Sequence, residues 1–113
     1  MALSKKYRLP LRFERTRINK EGHPVSGRYL TVISSPSPLL DYPRFAFLVS
    51  KKVSPLATDR NRIRRQFTEI VSSLLPKIKV KDYLLIPKKS ALSCSYDLLD
   101  KDIQSILNVS PTH

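Results

Sequence analysis

The chain has 113 residues, 41% of them hydrophobic, and its 21 lysines and arginines outnumber nine acids, giving a formal net charge of +12. This length predicts one domain with a small core, and the charge is typical of a protein that binds a polyanion. One cysteine excludes an internal disulfide, and with only two histidines it argues against a Cys/His zinc site.

The excess positive charge lies in two segments of the chain. Residues 1–28 carry eight basic and two acidic side chains, and residues 44–65 carry seven basic and one acidic side chain. This uneven distribution argues against a protein that is basic only for solubility. The opening residues lack the apolar run of a signal peptide, and no stretch approaches the apolar length of a membrane span. With the single cysteine, which fits a reducing compartment, these features predict a cytoplasmic protein without a membrane partner.

The first half of the chain predicts one short helix followed by two strands. After a basic start at residues 1–10, which we expect to be flexible, residues 11–21 can form a helix that ends at Gly22. Residues 28–33 and 44–49 are rich in the β-branched and aromatic residues typical of strands. The segment between them contains three prolines and is predicted to be a loop.

The second half predicts a long helix, a third strand and a final helix. The apolar side chains of residues 58–75 repeat at helical spacing and cover a stripe about 100° wide. They are Ile63, Phe67, Ile70, Val71, Leu74 and Leu75. Thr58 or Asp59 is expected to cap this helix. Residues 82–86 predict a strand, and residues 95–107 predict an amphipathic helix capped by Ser95.

This order of elements predicts one two-layer α/β domain that spans residues 1–113, with helices on one or both faces of a small sheet. We see no internal repeat and no linker between domains. Residues 108–113 are expected to be a tail.

Four arginines crowd the start of the long predicted helix, at Arg60, Arg62, Arg64 and Arg65. A helix N-terminus carries partial positive charge, which favours acids, and neighbouring arginines repel one another. An arrangement that is unfavourable for the isolated helix indicates an anionic partner, and phosphates bind helix N-termini and guanidinium groups well. The segment therefore predicts a phosphate-binding surface, with a merely solvated charged face as the alternative.

The helical periodicity divides these side chains into two groups. Asn61, Arg62 and Arg65 face away from the apolar stripe and are the first candidates for direct RNA contact. Arg60 and Arg64 lie at the edge of the stripe, where they can cover the sheet, pair with an acid or also contact RNA.

Two lysine pairs follow predicted strands. Lys51 and Lys52 end the second strand shortly before the arginine-rich helix. A strand end and the start of the next helix often converge on one edge of a sheet, so this pair is expected to extend the arginine patch. Lys88 and Lys89 end the third strand in the same way and are weaker candidates.

No catalytic constellation is visible in the sequence. The acids of the last predicted helix are interpreted as solvated, and they are Asp97, Asp100 and Asp102. Asp41 and Asp82 remain as acids that could hold a metal, because Asp59 is assigned to a helix cap. Cys94 has no histidine or acid partner near it in the sequence and is interpreted as a filler of the core. We therefore expect a binding protein with no catalytic residue and no metal on this chain.

Two motifs stand out in combination. The first is Val49-Ser50-Lys51-Lys52-Val53 at a strand end, and the second is Arg60-Asn61-Arg62-Ile63-Arg64-Arg65 at a helix start. Together they resemble the bacterial ribonuclease P protein family. The similarity extends to residues 25–30, which resemble the family's first strand, to residues 82–86 and to the start of the last helix. Residues 20–107 are covered in the order that the family shows.

The resemblance implies an α+β fold, a two-layer α/β sandwich with a small mixed sheet, the order α-β-β-β-α-β-α and a left-handed βαβ crossover. A short fourth strand is then missing from the three predicted from the residues alone. It also implies a subunit of ribonuclease P, the ribonucleoprotein endonuclease that hydrolyses precursor tRNA at its 5′ end. The catalytic groups and Mg²⁺ are expected on the RNA subunit. Ribonuclease P RNA and precursor tRNA are the expected partners, with no small-molecule substrate.

The resemblance also implies two binding sites. The helix start and the lysines before it are expected to contact the RNA subunit, through Lys51, Lys52, Arg60, Asn61, Arg62, Arg64 and Arg65. A cleft between the first helix and the sheet is expected to receive the 5′ leader of the precursor. Its candidate residues are Tyr7, Phe13, Arg15, Arg17, Arg28 and Tyr29.

Two features depart from the family pattern. The turn between Lys52 and Arg60 is one residue longer than usual and lacks the usual Gly-Asn pair. With Gly22 aligned to the family's glycine, the two aromatic positions of the first helix hold Arg15 and Asn19. Charge from Arg15 or Arg17 is therefore expected to take the place of aromatic stacking.

Two other classes of protein remain as alternatives. A structural RNA-binding protein, such as a ribosomal one, would have a similar composition, and only the motifs argue against it. A stand-alone nuclease or DNA-binding domain is less well supported, because the sequence contains neither an acidic cluster nor a helix-turn-helix pattern.

Overall fold

The computed structural model describes residues 5–36 and 41–107, which form a four-stranded sheet and three α-helices. In chain order, the elements are α1 (Leu11–Glu21), β1 (His23–Ser26), β2 (Leu30–Pro36), β3 (Arg44–Phe47), α2 (Ala57–Leu74), β4 (Lys81–Pro87) and α3 (Tyr96–Ile106). Short 3-10 turns lie at Lys5–Tyr7, Leu75–Lys77 and Lys89–Leu92. The predicted α+β fold and its order of elements are confirmed. None of the described helices is long and apolar enough to cross a membrane.

The sheet has the strand order β1-β2-β4-β3 and is mixed. β1 pairs with β2 and β2 pairs with β4 in antiparallel register, whereas β3 and β4 are parallel. Parallel neighbours need a long crossover, and α2 supplies it between β3 and β4. This β3–α2–β4 unit is the crossover for which the resemblance implies a left-handed connection.

The fourth strand is β1, which the residue pattern alone did not reveal. It is only four residues long, contains Pro24 and is exposed throughout, so it shows no apolar alternation. The segment at residues 25–30, expected as one strand, instead crosses a hairpin from β1 to β2. Gly27 lies in this turn, where a Cβ atom would stand 2.4 Å from the Ile106 side chain and 2.7 Å from a carboxylate oxygen of Asp102. A larger residue there would force the ends of the Ile106 and Asp102 side chains to move.

The larger core lies between the sheet and the pair α2 and α3. The predicted stripe of the long helix is confirmed, because Ile63, Phe67, Ile70, Val71 and Leu74 are all buried there. α3 adds two buried side chains, Leu99 and Ile103. Alternate strand residues point to this face of the sheet and include Phe45, Tyr83, Leu85 and Val32.

A smaller core lies on the other face of the sheet, under α1. Its buried members are Leu9, Ile18, Ala46 and Leu84. Ile18 is the only buried residue of α1, so this helix has little apolar attachment to the sheet. α1 ends at Gly22 as predicted, and a Cβ atom there would lie 2.3 Å from the Ile33 side chain of β2.

The start of the chain is more ordered than the sequence indicates. From residue 5 onward it follows the outer edge of β3, with Arg8 bridged to Phe45 and the Leu9 amide donating to the Phe45 carbonyl at 2.8 Å. Leu9 is 5% exposed. Residues 5–10, which we expected to be flexible, thus follow the edge of β3, where Leu9 gains burial and a backbone partner. Residues 1–4 and the expected tail at 108–113 lie outside the described residues.

The two predicted helix caps have different outcomes. Ser95 caps α3, because its hydroxyl accepts a hydrogen bond from the Leu98 amide at 3.3 Å. The expected cap of α2 by Thr58 or Asp59 is wrong, since this helix already begins at Ala57 without a side-chain cap. Asp59 instead accepts a hydrogen bond of 2.9 Å from the Ser54 hydroxyl and braces the turn before the helix.

Candidate nucleic-acid interface

The predicted lysine and arginine motifs meet where β3 leads into α2. Lys51 and Lys52 are exposed on a turn that the Val53 amide closes by donating to the Ser50 carbonyl at 3.1 Å. The Arg60 guanidinium donates to the Ser54 carbonyl at 2.9 Å and ties the helix to this turn. Both motifs therefore lie at the carboxyl end of β3, on one edge of the sheet, as the sequence predicts.

An open groove of about 530 Å³ lies along the first two turns of α2. Thr58, Asn61, Arg64 and Arg65 line it, and we call it the arginine groove. All four are exposed, and the Arg64 guanidinium donates to the Asn61 side-chain oxygen at 3.3 Å. Two guanidinium groups beside the positive end of a helix dipole form a surface that suits phosphate.

Two of the predicted RNA-contacting arginines turn toward the protein. Arg62, expected to face solvent, donates to the Leu92 carbonyl of the neighbouring 3-10 turn at 3.0 Å. Arg60, expected near the sheet or an acid, bonds the Ser54 carbonyl instead. The helical periodicity did not reveal these contacts because both partners lie outside the helix. Each guanidinium has five N–H donors, so both arginines still contribute charge to this end of α2.

A second candidate surface lies beside α1, on the face of the sheet that α1 covers. Strand register places Ser26, Thr31 and Ile86 in one row across β1, β2 and β4. Leu48, directly after β3, extends this row, because its amide donates to the Leu85 carbonyl of β4 at 2.9 Å. The Ser26 and Thr31 hydroxyl oxygens lie 2.9 Å apart, which confirms that they share a face. The neighbouring row contains Leu84 and is buried under Ile18, whereas this row is half-buried or exposed. We call the row of Ser26, Thr31, Ile86 and Leu48, with the flank of α1 beside it, the sheet cleft.

The predicted leader residues of α1 lie on opposite sides of this helix. Positions two apart on a helix differ by about 200°, so Phe13 and Arg15 point in opposite directions. Arg17 lies on the Phe13 side, and its guanidinium donates to the Ser35 hydroxyl and the Pro36 carbonyl, each at 3.0 Å. These partners lie across the buried row from the sheet cleft. Arg15 therefore flanks the cleft, whereas Phe13, 79% exposed, does not.

The other predicted leader residues are also separated by the fold. Tyr7 and Tyr29 pack against the larger core on the α2 and α3 face. Arg28 is exposed at the tip of the β1–β2 hairpin, two residues from Ser26 at the end of the cleft. The structure thus places Arg15 beside the sheet cleft and Arg28 at the hairpin tip beyond its end, and leaves Tyr7, Phe13, Arg17 and Tyr29 away from it.

The buried acid Asp82 links the opposite side of α1 to the sheet through hydrogen bonds. Asp82 is fully buried, and it accepts hydrogen bonds of 2.9 Å from Arg44 and a further one from Arg17. Glu14 accepts from the Arg17 guanidinium at 2.8 Å. We call Glu14, Arg17, Arg44 and Asp82 the Asp82 cluster. Apart from the neighbours Glu14 and Arg17 on α1, its residues lie far apart in the sequence, and the sequence signal for it was an acid that begins an otherwise apolar strand.

The carboxylates of the Asp82 cluster stabilise the charged form of its two arginines. The hydrogen bonds from Arg44 to Asp82 are the main reason that the pKa of Arg44 is raised above its ordinary value. Burial lowers the pKa of Arg17, but its bonds to Glu14 and Asp82 outweigh burial and raise that pKa overall. Asp82, considered above as a possible metal ligand, therefore serves as an anion for two arginines. Among the described residues, no three histidine, cysteine or acidic side chains are grouped as metal ligands.

One predicted solvated acid has a structural role instead. Asp102 on α3 accepts from the backbone amides of Arg28 at 3.2 Å and of Tyr29 at 2.8 Å. The Lys88 ammonium donates to the Gly27 carbonyl of the same turn at 2.8 Å. These contacts fix the hairpin tip that carries Arg28. The interpretation of Asp102 as simply solvated is therefore wrong, because its partners come from a hairpin distant in the sequence.

Comparison with known proteins agrees with this architecture. A family model described as Ribonuclease P matches residues 3–109. The ribonuclease P protein component of Microcystis aeruginosa is 32% identical over 95% of this chain and 92% of its own length. The corresponding protein of Syntrophomonas wolfei is 33% identical over 93% of this chain and 87% of its own length.

Solved structures show the same fold. The chain superposes on the RNase P protein of Staphylococcus aureus with a TM-score of 0.83 and 27% identity, covering 90% of this chain and 93% of that one. The RNase P protein of Thermotoga maritima gives a TM-score of 0.82 and 26% identity, covering 92% and 98%. The chain therefore belongs to the ribonuclease P protein family, the protein components that assist 5′ maturation of tRNA together with the RNA subunit of this ribonucleoprotein endonuclease.

Proposed function

We propose that the chain binds ribonuclease P RNA through the arginine groove and holds the 5′ leader of precursor tRNA in the sheet cleft. The observation that carries this proposal is that both surfaces lie toward the carboxyl ends of β3 and β4. The arginine groove opens on α2, which follows β3 in the chain, and the cleft ends at Leu48, the residue directly after β3. One protein edge can thus contact both RNA molecules where they meet.

The sheet cleft has the chemistry for a single RNA strand. Its row of side chains offers apolar surface at Ile86 and Leu48 and hydroxyl groups at Ser26 and Thr31. Arg15 on the flank of α1 and Arg28 at the hairpin tip supply positive charge for phosphates. Proteins that bind single strands combine such charge with surfaces on which bases rest. With Arg15 and Asn19 at the family's aromatic positions, charge has the larger share here.

The metal for hydrolysis belongs, in this proposal, to the RNA subunit. Hydrolysis of a phosphodiester needs an activated water and a stabilised leaving oxygen, usually through Mg²⁺. The interface of this chain is positive, which disfavours a metal ion, and its buried acid Asp82 is taken up by two arginines. The protein would instead screen repulsion between the two RNA molecules and position the leader. A chain that acts on precursor tRNA and keeps a free thiol at Cys94 fits the cytoplasm.

The leader proposal is tested with paired substrates. The holoenzyme, assembled from this chain and its RNA subunit, is titrated with precursor tRNA and with mature tRNA that lacks a leader. The double variant Arg15→Ala/Arg28→Ala is expected to weaken precursor binding by about 1–3 kcal/mol, as charge-assisted contacts do, and to leave mature tRNA binding unchanged. The charge-matched control is Lys77→Ala/Lys101→Ala, since both lysines are exposed and lie away from α1. Equal losses for both RNAs would contradict a leader cleft at these residues.

The division of labour with the RNA subunit is tested by cleavage. The protein freed of RNA is expected to leave precursor tRNA intact, and addition of the RNA subunit should restore cleavage at the mature 5′ end. The gain from the protein should be largest at low Mg²⁺, where phosphate repulsion is least screened. Site-specific cleavage by the RNA-free protein, lost in Asp41→Asn or in an Asp82→Asn variant shown to be folded, would move the chemistry onto this chain.

A further inference from the structure

A second cationic groove lies at the amino end of β3, at the other end of this strand from the arginine groove. It has a volume of about 410 Å³ and is lined by Lys5, Lys6, Arg8, Pro10, Tyr42 and Arg44. We call it the tyrosine groove. It exists because residues 5–10 follow the edge of β3, with the Leu9 amide bonded to the Phe45 carbonyl. Neither the sheet cleft nor the arginine groove shares a residue with it.

Four cationic side chains line the tyrosine groove, those of Lys5, Lys6, Arg8 and Arg44. Lys5 and Lys6 are exposed, whereas the Arg44 guanidinium is bonded to Asp82 in the Asp82 cluster. No carboxylate is among the residues that line the groove. Asp41 precedes Tyr42 in the chain but is not one of them. The groove therefore offers two mobile ammonium groups to an anion.

Aromatic rings stand beside these ammonium groups. The rings of Tyr7 and Tyr42 meet edge to face, with centroids 5.7 Å apart. The Lys6 ammonium lies 4.9 Å from the Tyr7 centroid and 5.2 Å from the Tyr42 centroid. Its four-carbon stem is flexible, so the ammonium can move from the rings to a phosphate. A ring for a base and cations for the adjoining phosphates are the two elements with which proteins bind single-stranded nucleic acid.

We propose that the tyrosine groove binds single-stranded leader nucleotides of precursor tRNA that lie upstream of those in the sheet cleft. This inference rests on the proposed function of that cleft. The cleft reaches the edge of the sheet at Leu48, and Arg44 lies four residues back along the same chain, roughly 13 Å away at the rise of a strand. Pro10, which begins the turn into α1, stands at the corner between the two sites. A strand leaving the cleft at this edge reaches Tyr42 and the lysines after it rounds the start of α1.

The leader is favoured over the RNA subunit because of geometry and strand character. The tyrosine groove borders the start of α1 through Pro10, and the sheet cleft borders the flank of the same helix, whereas the arginine groove lies on α2, which packs on the other face of the sheet. Stacking on Tyr42 also requires an unpaired base, which the leader upstream of the tRNA body provides.

The test varies the length of the leader. The holoenzyme is titrated with precursors whose leaders are either just long enough to fill the sheet cleft or extended by several nucleotides. Lys5→Ala/Lys6→Ala and, separately, Tyr42→Ala are expected to reduce affinity for the long-leader precursor about tenfold, the effect of losing one stacked base or two phosphate contacts. Affinity for the short-leader precursor should not change. Lys77→Ala/Lys101→Ala again serves as the charge-matched control.

The outcomes separate the groove from the cleft. One outcome is that Arg15→Ala/Arg28→Ala weakens binding only of RNA with a leader, whereas the tyrosine-groove variants lose affinity equally for both leader lengths or lose none. This outcome overturns the groove proposal and leaves the cleft proposal intact. If neither set of variants depends on the leader, both proposals fail. Weaker assembly with the RNA subunit, with unchanged discrimination between leaders, would assign the groove to the RNA subunit and also overturn the inference.

Discussion

Arg44 and Asp82 lie side by side on the parallel strands β3 and β4, and the Arg44 guanidinium donates 2.9 Å hydrogen bonds to both Asp82 carboxylate oxygens. Arg17 reaches the same carboxylate from α1. This helix buries only Ile18, so the shared carboxylate is a principal link between α1 and the sheet. The same contact therefore sets where the flank of α1, with Arg15, stands over the sheet cleft.

Asp82→Asn should destabilise the protein by about 2–4 kcal/mol. Removal of one partner from a fully buried ion pair costs about 3–5 kcal/mol, and the expected loss is smaller here because both arginines are partly exposed. Urea denaturation measures the change. Asp41→Asn, which alters an exposed acid, should change the free energy of unfolding by less than about 0.5 kcal/mol. Equal stability of the two variants would show that the cluster does not anchor α1.

The arginines at the start of α2 should fall into two groups, one that contacts RNA and one that supports the fold. Arg64→Ala/Arg65→Ala should weaken binding of the RNA subunit by about 1–3 kcal/mol and leave the fold intact, since both side chains are exposed. Arg62→Ala should lower the free energy of unfolding by about 1 kcal/mol, because its bond to the Leu92 carbonyl is lost. Filter binding and thermal unfolding of the same preparations distinguish the two effects. A folded Arg64/Arg65 double variant with full affinity would remove the arginine groove from the interface.

Binding of the RNA subunit should depend steeply on salt. About six phosphate contacts predict a slope of log K against log salt concentration of roughly −4 or steeper, with the coefficient for single strands. The Arg64→Ala/Arg65→Ala variant should have a slope shallower by about 1–2, because each lost phosphate contact releases one counterion fewer. A slope near −1 for the unaltered protein would mean that its charge of +12 is not what binds the RNA.

The buried phenol of Tyr83 should make the fold sensitive to alkali. Burial raises its pKa from 10.0 to about 12, and its hydroxyl donates to the Lys79 carbonyl at 2.9 Å. The folded state thus holds the protonated phenol more tightly than the unfolded chain does. The resulting stabilisation is complete below pH 10 and is lost as the pH rises from 10 toward 12.

Comparison with Tyr83→Phe isolates this effect from the titration of lysines, which both proteins share. The stability difference between the two should fall by up to about 2–3 kcal/mol across that range of pH. Urea denaturation at several alkaline pH values measures it. A stability difference that does not change with pH would show that the phenol has the same pKa in the folded and unfolded states.

Much of the fold could be predicted from local patterns. The stripe from Ile63 to Leu74 predicts both α2 and its buried side, because helical periodicity is a property of consecutive residues. Gly22 likewise lies at the predicted end of α1, and Ser95 marks the start of α3 through its own hydroxyl. β1 was missed because four exposed residues that include a proline have no periodicity, and only their pairing with β2 makes them a strand.

The sequence by itself determined that this chain is a basic single domain with an arginine-rich helix start, and its motifs determined the family. What each charged side chain touches was decided only by the tertiary structure. Arg62 is drawn to a turn 30 residues away, and Arg17 to a carboxylate 65 residues away. Lys6 meets Tyr42 across the edge of β3. Electrostatic and hydrogen-bonded partners depend on distance in space, and a linear pattern reports only the neighbours that one helix or strand brings together.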